Sequence, residues 1–227
     1  ISHLFQPSSL LIAFAHNRYG IEPLPGENEA FGESGLTLDE LNKIYRALYD
    51  FICQLTINQL DECLSLETRE KFITRFAQSE NLVIPPSFIT HLAKPNSRFT
   101  REIAIRIKSL PLIHLDKAGF NVCAWGLNWE QIDSLAHVAM GPAENGDQLV
   151  EIQNQSYISM NNSPGMSFHM RALEIMAGKS FMLTRYNKLD NEPITQHFAV
   201  DDEVVLFDGE EELSQKTEYY ISHHAER

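Results

Sequence analysis

The sequence predicts a mainly helical protein of packed short hairpins with a small C-terminal antiparallel β meander, α+β overall. Three observations carry this expectation. A Thr or Asn followed three residues later by Glu or Gln recurs in LTLDEL, LTINQL and LNWEQI, the reciprocal pairing of a capping box that opens a helix. Apolar residues behind these starts return at three- and four-residue spacing rather than at the alternation of a strand. Beyond Gly178 the β-formers gather into short runs separated by turn residues.

Taken in order, Thr37 caps a helix over 38–53 that turns Leu41, Ile44, Leu48 and Phe51 to one side, and Thr56 opens a second over 57–64. Leu36 with Leu41 and Leu55 with Leu60 stand at the positions of a hydrophobic staple. SLETREKFITRFAQ places Phe72 and Phe76 on one face, and RFTREIAIRIKSL does the same with Ile103, Ile107 and Leu110, so both read as amphipathic helices. Pro85, Pro86, Pro95 and Pro111 bias their predecessors away from helix and keep these segments short. Asn128 starts the third box, expected to drive a helix over 129–140 with Ile132 and Leu135 inward.

After Gly141 the character changes. SPGMSFHMRALEIMAG reads as a helix with Ser163 as cap, Pro164 at its first position and Gly178 just past its end. SFMLTRY, ITQHFAV and EVVLFD are the three strands of the expected meander. A last helix follows, its acidic start suited to the helix dipole and its Leu213, Tyr220 and Ile221 directed inward. These elements suggest a helical domain over 1–160 and an α+β appendage over 161–227, packed separately or as one.

Composition narrows the function classes. A hydrophobic share of 43% with 22% charged residues is that of a folding globule. The longest apolar run near the start, Leu10–Ala15, is too short for a membrane span. A formal net charge of −13 opposes nucleic-acid binding by the chain as a whole. Charge is unevenly spread, because residues 69–117 hold nine Lys and Arg against four Asp and Glu. Within that basic segment Arg98, Arg101 and Lys108 recur at helical spacing, a strip suited to an anionic lipid, a phosphate or an acidic protein partner.

Catalytic constellations are incomplete. Cys123 with His137 offers a thiol and a base but no third, orienting group. Cys53, Cys63 and Cys123 form no C-x-x-C and suit a reducing compartment, hence a cytoplasmic expectation. The scattered histidines and eleven glycines supply neither a metal-ligand spacing nor a phosphate-cradling Gly-rich motif, so no metal and no cofactor is expected. Trp125, four residues before Trp129, is a candidate binding hot spot.

HLDKAGFN, from His114 to Asn121, fits H-x-D-x-x-x-x-N and resembles the catalytic loop of protein kinases. That resemblance implies Asp116 as the base and Asn121 as a magnesium ligand, with Asp133 placed where a second metal-binding aspartate is sought. The run departs from the family in having IDS for D-F-G, no A-P-E and no Gly-rich loop. The acidic run around Glu210–Glu212 resembles the glutamate-rich export signal of bacterial type IV secretion substrates, which implies an effector acting in a host cytosol.

The functional expectation is therefore a protein–protein interaction module. The chain begins at Ile1 rather than at a methionine, which suggests a piece of a larger polypeptide. The alternatives are an enzyme, kinase-like through Asp116 and Asn121 or thiol-dependent through Cys123, and an anion reader built on the basic strip.

Overall fold

The computed structural model describes residue 32 and residues 34–63, 65–95 and 97–227. The run Leu10–Ala15 lies outside them. The chain divides into two compact units, Ile1–Arg106 and Ile107–Arg227.

The described part of the first unit is helical. It comprises α1 (Leu38–Gln54), α2 (Ile57–Glu62), α3 (Leu66–Ser79), α4 (Pro86–Leu92) and the first half of α5 (Arg98–Lys117). Two of the expected capping boxes are present. Thr37 Oγ1 accepts the Glu40 N–H at 3.3 Å while Glu40 Oε2 takes the Thr37 N–H at 2.7 Å. Thr56 and Gln59 repeat the exchange at 3.4 and 2.9 Å. Behind them Leu41, Ile44, Leu48, Ile52, Leu60, Ile73, Phe76 and Phe88 form the core. Phe51 links α1 to α3 through Phe72 and Phe76 at ring separations of 5.4 and 5.2 Å, a range in which aromatic pairs add to burial.

The second unit is a layered α/β arrangement. Its elements are the rest of α5, β1 (Ala124–Trp125), β2 (Ala139–Gly141), α6 (Asp147–Gln155), β3 (Ser159–Asn161), α7 (Met170–Ala177), β4 (Met182–Arg185), β5 (Val205–Phe207) and α8 (Gly209–Ser222). Strands β1 and β2 pair in parallel, and β3, β4 and β5 form a second parallel sheet in that order. The expected antiparallel meander is thus overturned: each strand returns in the same direction after a crossover. The run ITQHFAV is no strand but a 3₁₀ turn at Ile194–Gln196. All four residues of β4 are buried. A strand buried along its whole length, polar Thr184 and Arg185 included, is covered on both faces as in a parallel sheet, whereas a solvated meander alternates.

Alternation along the strands divides the core in two. Leu183, Val205 and Phe207 pack with Leu115, Val122 and Leu213, which brings in α5 and α8. Met182 packs with Ala172, Ile175, Ile194 and Val204, on the side of α7. Successive residues of a strand face opposite ways, so Met182 and Leu183 serve different layers.

Three local expectations are also corrected. Pro111 does not end a helix but sits inside α5. Asn128 adopts φ 69° in the left-handed region, and no helix spans 129–140; two 3₁₀ turns, Trp129–Gln131 and Ala136–Val138, lead instead into β2. The Asn128 Oδ1 that a capping box would offer to the backbone accepts Gln131 Nε2 at 2.9 Å. Finally α7 begins at Met170, capped by His169, rather than at Pro164. Gly165 at φ 82° keeps the preceding segment in a loop. Among the described residues no helix is long and apolar enough to cross a membrane.

Candidate functional site

Two adjacent asparagines at the carboxyl end of β3 organise the second unit's polar centre. Asn162 Nδ2 donates to the Lys108 carbonyl at 2.6 Å, three residues before Pro111 of α5. Asn161 is 2% exposed. Its Nδ2 donates to the Ser167 carbonyl at 2.9 Å and its Oδ1 lies 2.9 Å from His169 Nε2. His169 Nδ1 accepts the Arg171 N–H at 3.1 Å, closing the N-cap of α7.

The loop between β3 and α7 is fixed from a second side. Asp190 Oδ2 accepts both the N–H and the Oγ of Ser167 at 2.6 Å. The Ser167 Oγ in turn receives the Ile194 N–H at 2.9 Å. Arg185, the buried last residue of β4, donates Nη2 to the Ser163 carbonyl at 3.2 Å. Carboxyl ends of parallel strands are where open α/β sheets hold ligands, and here cations and amides stand together with the carboxylates of Glu174 and Asp190.

Electrostatics distinguish this end of the sheet. Burial and the nearby charge of Arg171 lower the pKa of Lys108. Burial also lowers that of His169, assisted by Arg171 and Lys108 and opposed by Glu174 and Asp190. Arg171 is half in solvent, with Nη1 2.9 Å from Glu174 Oε2. Positive groups that depress one another's protonation favour an anion in their midst. The N–H groups at the start of α7 add the positive end of the helix dipole.

The residues singled out from the sequence fall elsewhere, with one exception. Lys108 is in the cluster. Arg98 is 1% exposed, its guanidinium 5.0 Å from the centre of the Tyr45 ring, so it takes no part in a solvent-facing strip. Arg101 is exposed. Asp116, in the last turn of α5, has Oδ1 3.0 Å from the exposed His137 Nε2. Asn121, Cys123 and Asp133 are exposed, and His114 Nε2 lies 2.7 Å from Ser214 Oγ. Trp125 is half-buried, its carbonyl accepting Trp129 Nε1 at 3.0 Å. Among the described residues no three His, Cys, Asp or Glu side chains gather as a metal site. His137 pairs with Asp116.

A family described as glycosyl transferase-like matches residues 107–227, the whole of the second unit. The chain belongs to the glycosyl transferase-like family. No curated protein and no solved structure matches the chain. Membership of a glycosyl transferase-like family favours the enzyme alternative over the interaction module expected from the sequence. The family description names neither of the two chemistries, phosphoryl transfer or thiol dependence, that the sequence offered for that alternative. Asn161, Ser167, His169, Arg171 and Asp190 of the glycosyl transferase-like unit were missed by sequence reasoning. The signal available was His-x-Arg at the true start of an apolar helical period, hidden because Ser163-Pro164 has a stronger helix-start pattern.

Proposed function

We propose that the second unit transfers a sugar from an activated donor whose leaving group is a diphosphate, held between Lys108, Arg171 and the first turn of α7. In such a transfer the bond from the anomeric carbon to the leaving oxygen breaks, an acceptor hydroxyl forms the new bond and gives up its proton, and negative charge builds on the diphosphate. Fixed cations and oriented N–H groups aimed at that charge lower the barrier.

The observation that supports this reading is the bracing of two cations at one strand end. Asn162 anchors the Lys108 main chain, Asn161 anchors the turn that carries Arg171, and the two charges act on each other and on His169, all within the family-matched region. This reading absorbs the phosphate-binding expectation for Lys108.

The test is release of nucleoside diphosphate from a panel of nucleoside diphosphate sugars by the full chain. Arg171→Ala and Lys108→Ala are each expected to lower kcat/KM by about 10- to 100-fold. Because the Arg171–Glu174 pair is solvent-exposed, its loss should cost under about 1 kcal/mol of stability. Release that survives both substitutions, or no release and no diphosphate binding at all, sinks the reading.

A further inference from the structure

The hydrogen bonds around His169 determine its tautomer. Asn161 Nδ2 donates to the Ser167 carbonyl, so the other amide atom, Oδ1, is the acceptor that faces His169 Nε2. His169 Nε2 must therefore carry a proton and donate it. His169 Nδ1 meets the Arg171 N–H, and two donors cannot share that bond, so Nδ1 is bare. The neutral ring satisfies both neighbours; the imidazolium would set an N–H against an N–H at the end of a helix that already repels positive charge.

We propose that His169 is a positioning residue whose neutral, Nε2-protonated ring ties the first turn of α7, and with it Arg171, to the carboxyl end of β3, so that ring protonation releases this anion-binding turn. The proposal rests on reading that turn as the diphosphate site. The charged and titratable groups bearing on the ring are Lys108 from α5, Arg171 and Glu174 from α7, and Asp190 from the loop after β4. Lys108 and Arg171 oppose protonation, as burial does, while Glu174 and Asp190 favour it. The depressed pKa keeps the tether closed at neutral pH and opens it on acidification below the ordinary histidine range.

Nitrogen-15 NMR of the histidine rings, with Arg171 amide exchange followed across pH, tests the tether in the full chain. The expected result is an Nε2–H tautomer at neutral pH and Arg171 exchange that accelerates in step with protonation of that ring. His169→Asn supplies a strong N-cap that does not titrate, so its Arg171 exchange should lose this dependence. The P1,P2-dimethyl ester of diphosphate keeps its charge throughout and serves as the binding probe. Its affinity should fall about tenfold on acidification in the wild type, stay level in His169→Asn, and be about tenfold weaker at every pH in His169→Ala. An Nδ1–H tautomer, or Arg171 exchange indifferent to ring protonation, overturns the tether. A tether that behaves as described while the probe binds at no pH overturns the diphosphate reading beneath it.

Discussion

Asn162 reaches the main chain of Lys108, its Nδ2 2.6 Å from a carbonyl in a helix that runs on through Pro111. A side chain just past a strand thereby fixes where a cation on a distant helix stands. Asn162→Ala removes the donor and leaves a half-buried carbonyl. We expect a loss of about 1 kcal/mol in stability, together with weaker diphosphate binding, read by denaturation and by titration with the dimethyl diphosphate. Unchanged binding would detach Lys108 from the site.

The Asp116–His137 pair is a surface contact, with the imidazole 61% exposed. Asp116→Asn should cost under about 1 kcal/mol, less at high salt, and leave sugar transfer unaltered. A drop of two orders of magnitude in turnover would restore Asp116 as a base.

Glu102 lies 7% exposed in the first unit, one turn from Arg98. Burial raises its pKa from 4.5 to about 7 against the pull of Arg98. Between these values the folded state keeps a proton that the unfolded chain has lost. Stability should therefore fall as pH rises from about 4.5 to about 7, by up to about 3 kcal/mol, and level off above. Glu102→Gln should flatten this slope in denaturant titrations, and a slope left intact would assign the dependence to another group.

Two of the three thiols should separate by reactivity. Cys123 is exposed, whereas Cys63 is buried, donates to the Gln59 carbonyl at 3.2 Å and has its pKa raised by desolvation. Iodoacetamide at pH 8 should modify Cys123 in the native protein and Cys63 only after unfolding. Sugar transfer should survive Cys123→Ser; its abolition would revive the thiol-dependent reading.

Elements held by local chemistry were legible. Thr37 and Thr56 cap their helices because Glu40 and Gln59 stand three residues away and nothing distant competes. Leu213 points inward from an acidic-fronted last helix, also as its spacing implied. Asn128 has the same local signal, yet the chain there leads from β1 into β2, and parallel pairing overrides the cap. Arg98 shares a spacing with Arg101 and Lys108, but spacing does not say which side of a helix is covered.

By itself the sequence determined the helical starts of the first unit, the inward faces of α1, α3 and α8, and the absence of a Gly-rich phosphate motif, because these depend on neighbours within about four positions. Only the tertiary structure decided strand direction and the gathering of Lys108, Asn161, His169 and Arg171 at one strand end. A crossover can return a strand in either sense without altering its own apolar run. The bond from Asn162 to Lys108 spans 54 positions, a separation over which no local pattern carries information.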